Sequence, residues 1–186
     1  MTRQLASPRL ILRPYSPGDA AFVRGLYSRP EVQRYLGDGT QRVRTMIEAR
    51  AKINAWNERY LAEPAQGLWA VCRKDGTITG SLLLKPIPDS VTAVERDTEI
   101  GWHFHPDHRG HGYATEAARV VLDHAFACGL ERVVAVTNPA NTASQAVCLR
   151  LGMTHLCLSD AYYDAACELF DITAPTSGKE PGGEQS

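Results

Sequence analysis

The sequence predicts an α/β chain: a mixed, largely antiparallel central sheet of about seven strands with about four helices. Three observations lead there. Short alternating or β-branched apolar runs recur along the chain. Between them, longer segments repeat apolar residues at spacings of 3 and 4. The order β-α-α, three strands, helix, strand, helix, two strands lacks the early alternating units of a doubly wound sheet.

Each element has a local reason. Arg9-Leu-Ile-Leu-Arg13 reads as the first strand. Ser16-Pro17 reads as a helix cap followed by proline at the first helical position, and the helix runs to Tyr27. Pro30 restarts the chain and Gly37-Asp38-Gly39 breaks it again. Met46, Ala49, Ile53, Trp56 and Tyr60 form one apolar face, predicting a helix from Gln41 to about Ala62. Leu68–Arg73 and Thr77–Lys85 are strand-like, with Lys74-Asp75-Gly76 as a hairpin signal. Thr98–Phe104 is a third strand, placing Ile100, Trp102 and Phe104 on one face and Glu99, Gly101 and His103 on the other. Ala114, Ala117, Ala118, Val121, Leu122 and Ala125 follow the helical template up to Gly129. Arg132–Thr137 is a β-branched run expected to be covered on both faces. A short helix from about Asn141 to Leu151 and strands Met153–Leu158 and Glu168–Ile172 complete the fold.

Residues 1–173 are expected to form a single domain, and 174–186, rich in Gly, Pro, Ser and Glu, a disordered tail. At 186 residues and 44% hydrophobic the chain can bury roughly 70% of its unfolded surface. A formal charge of -1 argues against a surface that grips nucleic acid as a whole. The five cysteines form no C-x-x-C pair, which points to free thiols in a reducing cytoplasm. The N-terminus lacks the apolar core of a signal peptide, and no stretch is long enough to span a membrane. Edge strands need protection or pairing, so a homodimer is expected.

The chemistry concentrates between Glu99 and Glu116. There a strand runs into Arg109-Gly110-His111-Gly112, and this loop opens directly onto a helix. Glycines that admit close approach, followed by helix-terminal amides, make a site for a phosphate or pyrophosphate. A plain strand-to-helix turn is the other reading. The P-loop pattern is absent, and the dinucleotide fingerprint fails because its third glycine is replaced by Thr115 and Glu131 begins the next strand rather than ending it.

These stretches resemble the GNAT superfamily of acyl-CoA-dependent N-acyltransferases, and within it the Rim-type branch of ribosomal-protein N-terminal acetyltransferases. Arg9–Arg13 with its helix, Glu99-Ile-Gly-Trp102 through Arg109-Gly-His-Gly-Tyr-Ala-Thr-Glu-Ala117, and Asn138-Pro-Ala-Asn141-Thr-Ala-Ser144 through Leu151-Gly-Met153 carry the likeness. The resemblance implies a GNAT-like fold, acetyl-CoA as acyl donor, and a primary amine acceptor, either a peptide N-terminus or a small molecule. It implies coenzyme contacts from Trp102, Phe104, Arg109, Gly110, His111, Gly112, Tyr113, Ala114, Thr115 and Asn141, with an oxyanion donor among the backbone amides near Phe104. Glu99 is implied as general base; its other reading is a sheet-surface carboxylate. Ser144 would donate to the leaving sulfur or serve only in the helix cap. Where many relatives carry a catalytic tyrosine, this chain has Cys148.

Two other functions compete with this one. A non-catalytic acyl-CoA-binding or sensor domain would keep the cradle without turnover. His103, His105, His108 and His111 invite a metal hydrolase, but no H-E-x-x-H pattern completes it, so no metal is expected. Trp56, Trp69, Tyr60 and Trp102 fit core or cleft lining better than a nucleic-acid stacking platform.

Overall fold

The computed structural model describes residues 4–36, 42–60, 63–91 and 95–175. Among these, eight strands form one sheet and five α-helices flank it. The strands are β1 Leu5–Ala6, β2 Leu10–Pro14, β3 Gly67–Arg73, β4 Ile78–Pro88, β5 Glu95–Phe104, β6 Arg132–Thr137, β7 Thr154–Ser159 and β8 Cys167–Thr173. The helices are α1 Ala20–Tyr27, α2 Pro30–Gln33, α3 Met46–Arg59, α4 Tyr113–Ala127 and α5 Thr142–Arg150. The sheet order is β1-β2-β3-β4-β5-β6-β8-β7, antiparallel throughout except for the parallel β5–β6 pair.

Alternation along the strands sorts the core into two layers. Leu10, Leu12, Trp69, Val71, Leu82, Leu84, Ile100 and Phe104 face α4 and α5, meeting Ala117, Ala118, Val121 and Val147. Leu68, Ala70, Cys72 and Leu83 face the other way and meet Val23, Leu26, Ala49 and Ile53 from α1 and α3. A smaller cluster of Ile87, Val134, Tyr162 and Leu169 lies at the far end. Burial at this scale is the main stabilising term, at about 25 cal/mol per Å² of apolar surface.

The structure departs from the sequence reading at element ends. β1 was not foreseen because two residues are too short to show a period. α3 starts only at Met46, where the Thr45 hydroxyl accepts from the Glu48 N–H at 3.1 Å and the Glu48 carboxylate accepts from the Thr45 N–H at 3.3 Å. β4 continues through Pro86, beyond the predicted stop at Lys85, paired with β5 up to Pro88. Its pairing with β3 ends at Leu84, so the prolines fall where β4 has no neighbour on that side and needs no N–H there. The predicted break at Gly37-Asp38-Gly39 and residues 176–186 of the predicted tail lie outside the described residues.

Candidate functional site

Strands β5 and β6 pair at one position, Glu99 with Val134, and then separate. β5 stays bound to β4 as far as Phe104 opposite Gly80, so the gap opens on its β6 side alone. A β-carbon on Gly80 would lie 2.6 Å from the His103 carbonyl and 2.7 Å from the Phe104 ring, so glycine is what allows this strand end to close. The wedge belongs to a cleft of about 1930 Å³ that passes from the α4 side of the sheet to the α1–α3 side. Trp102 and Phe104 border it from β5, and Val136 and Thr137 from β6.

On the α4 side the cleft meets the glycine loop. His105 begins a tight 3-10 turn over Pro106–His108, and the Arg109 guanidinium donates back to the Phe104 carbonyl at 3.2 Å. Gly110 and Gly112 take φ of +79° and +76°, the left-handed region that side chains disfavour. Gly112 caps α4 and has no side chain to offer, and among the described residues no side chain caps the first-turn amides. Such a terminus favours an anion. Its first turn is fixed from outside the loop. Glu116 accepts from the Ser7 hydroxyl at 2.7 Å and from the Arg9 side chain at 2.6 Å. Burial pushes the Glu116 carboxyl up, but these donors prevail and hold it below its ordinary range.

Asn141 caps α5, its side-chain oxygen accepting from the Ser144 N–H at 3.2 Å. Ser144 lines the cleft one turn before Cys148. Cys148 is fully buried, and burial pushes its thiol up to about 12. Thr137 is 6% exposed and its hydroxyl has no hydrogen-bond partner.

On the α1–α3 side, Glu99 is buried and its Oε2 holds two groups. Tyr163 donates a short hydrogen bond to it, and the Lys85 ammonium lies 3.1 Å away. Lys85 also reaches the Tyr163 hydroxyl at 2.5 Å. Burial, then the Glu99 charge, raise the Tyr163 phenol well above its usual range. Tyr163 sits in the β7–β8 turn with φ of +60°, and Asp164 follows at +51°. Two successive non-glycine residues there mark a strained turn that brings the phenol to the carboxylate. Four residues along β5, His103 joins a buried chain. Its Nδ1 meets the Tyr27 hydroxyl at 3.0 Å, Tyr27 meets Ser81 at 3.0 Å, and Ser81 meets Tyr15 at 2.7 Å. Burial above all, with the Lys52 and Lys85 charges, lowers His103 to about 4, so it is neutral at neutral pH.

The fold is shared with known proteins. The family model for the acetyltransferase (GNAT) domain matches residues 9–154. The chain belongs to the GNAT acetyltransferase family. It is 30% identical to an uncharacterized N-acetyltransferase, YoaA, of Bacillus subtilis, over 80% of this chain and 81% of that one. It is 32% identical to the FsC-acetyl coenzyme A-N(2)-transacetylase of Aspergillus fumigatus, over 82% of this chain and 65% of that one. Among solved structures, RimJ of Mycobacterium smegmatis, in complex with a CoA disulfide, superposes with TM-score 0.75 at 22% identity, covering 92% of this chain and 86% of that one. The ribosomal L7/L12 acetyltransferase RimL, in complex with coenzyme A, gives TM-score 0.75 at 15% identity, covering 92% and 98%. The fold is thus that of the Rim-type GNAT enzymes.

Of the residues singled out from the sequence, this GNAT chain brings Glu99, Trp102, Phe104, Arg109, Gly110, Gly112, Tyr113, Ala114, Thr115, Asn141 and Ser144 to the one cleft. His111 is not in its lining; it is exposed and stacks on Tyr113 at 5.5 Å, its carbonyl accepting from Arg9. The four histidines do not gather at one point: His103 turns to Tyr27, His105 and His108 approach each other at 5.9 Å beside Phe22, and His111 stacks on Tyr113. Among the described residues no three His, Cys, Asp or Glu side chains gather as a metal would require. Sequence reasoning missed Lys85, Tyr163, Thr137 and Arg9. Lys85 alone had a signal, since cross-strand pairing with Glu99 follows once the β4–β5 hairpin register is known.

Proposed function

We propose that this chain is an N-acetyltransferase that moves an acetyl group from acetyl-CoA to a primary amine, either a peptide N-terminus or a small-molecule amine. The observation that carries the reading is the wedge between β5 and β6, with an uncapped glycine cradle on one side of the sheet and the Glu99 carboxylate on the other. The residues present fit the coenzyme. The first-turn amides of α4 after Gly112 would take the diphosphate. The freed backbone edge of β5 and the unpartnered Thr137 hydroxyl would take the pantetheine amides. The donor supplies an activated acyl carbon and a thiolate leaving group.

The chain's own groups do the rest. Glu99 accepts the proton that an ammonium must lose before its nitrogen lone pair can attack. Lys85 and Tyr163 hold the carboxylate through Oε2, which leaves Oε1 for the amine or an intervening water. A backbone N–H near Phe104 stabilises the carbonyl oxygen as it gains charge. As the new C–N bond forms, the C–S bond breaks and its electron pair leaves with sulfur; Ser144 donates to that sulfur. Cys148 does not substitute for a tyrosine acid, because its thiol is sealed in the core. Five free cysteines support a reducing, cytoplasmic setting. The outer strand β7, exposed along nearly its whole length, supports pairing with a second copy; light scattering that finds only monomer overturns the dimer.

The test is thiol release from acetyl-CoA over an amine panel. Glu99→Gln is expected to bind acetyl-CoA normally while turnover falls by roughly 10²–10⁴-fold. Gly112→Val is expected to lose about tenfold or more in acetyl-CoA affinity by calorimetry. Tight acetyl-CoA binding with no thiol release over any amine would overturn the transferase and leave a sensor domain.

A further inference from the structure

The acceptor side of the cleft is electrically one-sided. Among the described residues, the two carboxylates that line it are each held by a cation: Glu31 by Arg29 at 3.3 Å, and Glu99 by Lys85 at 3.1 Å. Lys52 has no such counterpart. It stands on α3, half-buried, and lines the cleft with its ammonium over the Trp56 ring at 5.7 Å. No carboxylate among the described residues pairs with it. Its charge is felt at His103, whose Nδ1 is already bonded to Tyr27. Burial lowers the Lys52 ammonium from its ordinary range, as expected of a cation withdrawn from water without a compensating anion. A half-buried ammonium beside a neutral imidazole and an aromatic wall forms an incomplete ion pair. The missing half is an anion.

The separation of the two ends fixes what kind of molecule can join them. Glu99 and His103 lie on one face of β5, four residues apart, which is about 13 Å of strand. Leu83 lies on the same face, paired with Gly101 between them. An acceptor with its amine at Glu99 and about 7 Å of skeleton over Leu83, the strand separation less one hydrogen-bond length at each end, presents its far end to His103 and Lys52.

We propose that the acceptor is an amine that also carries a carboxylate, and that Lys52 is the residue that recognises this anion. This rests on the transferase reading above and adds the acceptor class to it. A free amino acid whose amine and carboxylate stand about 7 Å apart and a peptide whose second residue is acidic present the same chemistry. Polyamines are disfavoured, since their second cation would lie against the Lys52 ammonium, and among the described residues the carboxylates on this side are already paired with Arg29 and Lys85.

The experiment compares acceptors that differ only by carboxylate against carboxamide. 6-Aminohexanoate against 6-aminohexanamide supplies the small-molecule arm. Tetrapeptides beginning Ser-Asp against Ser-Asn supply the peptide arm, and spermidine is the cationic control. In the wild type, kcat/KM is expected to favour the carboxylate member of the better arm by at least tenfold, with spermidine poorest. Lys52→Met is expected to collapse this ratio, Lys52→Arg to retain most of it, and Lys52→Glu to reverse it toward spermidine. A merely structural role for Lys52 would lower both members of a pair equally and leave the ratio unmoved, and that result overturns the proposal. So does a wild type that acetylates the carboxamide or spermidine as well as the carboxylate. Failure of the parent reading has a different signature: acetyl-CoA binds and no amine in either arm releases thiol.

Discussion

Thr137 is buried at the open end of the wedge with a hydroxyl that has no partner. An unsatisfied buried polar group costs about 1–3 kcal/mol. Thr137→Val keeps the shape and removes the oxygen, so the free protein is expected to gain thermal stability while its affinity for acetyl-CoA falls. Thermal melts and calorimetry read the two effects separately; a Thr137→Val protein that is less stable, or that binds acetyl-CoA as before, removes the hydroxyl from the coenzyme site. At this scale the sequence was legible where residues are contiguous. Glu99, Gly110, Gly112 and Thr115 fall on one strand-loop-helix segment, so their grouping needed no tertiary knowledge. Tyr163 and Lys52 reach the same cleft from the β7–β8 turn and α3, and nothing in their own neighbourhoods announces it, whereas Lys85 is announced only through its β4–β5 register with Glu99. Tyr163 is the clearest case. Its position follows from two successive left-handed residues, Tyr163 and Asp164, and no glycine or asparagine signals that turn.

Among the elements, α3 controls the acceptor side, because it carries both Lys52 and Trp56. Its entry is set by reciprocal hydrogen bonds between Thr45 and Glu48, with Glu48 also accepting from the Arg44 N–H at 2.6 Å. Losing a cap of this kind costs typically about 1 kcal/mol. Thr45→Ala is therefore expected to lower the melting temperature by about 2–4 °C for a chain of this length. If α3 positions Lys52 as argued, KM for a carboxylate acceptor should rise while coenzyme affinity, read by calorimetry, holds. An unchanged melting temperature would show that the cap does not limit this helix. Strands were legible where apolar alternation or β-branching is strong, as in β6, whose predicted and observed limits agree. They were less so in β4, read as ending at Lys85, which continues through Pro86 to Pro88 where its pairing with β3 has already ended. For α3, the periodic apolar face showed that a helix exists, whereas the Thr45–Glu48 pair decides where it starts.

For the molecule as a whole, the decisive feature is that the sheet is continuous across β5 and β6 through a single residue pair. On one side stand β1 to β5, and on the other β6, β8 and β7. Besides Glu99–Val134, side chains bridge the two parts, Arg132 to Asp97 at 2.7 Å and Tyr163 to Glu99, Ile87 packs with Val134 and Leu169, and helices pack under both, with Val121 and Ala118 of α4 and Val147 of α5 in one cluster with Ile100 and Ala135. A ligand that fills the wedge with its own amides completes hydrogen bonding that the sheet leaves unmade, so the coenzyme should act as a structural element as well as a substrate. Binding to the folded state alone stabilises it by about 2.7 kcal/mol at a ligand concentration 100 times Kd. For a chain of this length that corresponds to a rise of about 5–11 °C in melting temperature. Coenzyme A without its acetyl group should give most of this rise, since the diphosphate and pantetheine make the contacts and the acyl group adds few atoms. Gly112→Val, with its tenfold or greater loss of affinity, should cut the rise to about half or less at the same concentration, because a side chain there disfavours the loop angle that exposes the α4 amides. Thr137→Val should start from a higher melting temperature and gain less. Differential scanning calorimetry with and without coenzyme A measures all three proteins. Equal shifts in the three would mean that the ligand is bound elsewhere and that the gap between β5 and β6 is only a packing irregularity.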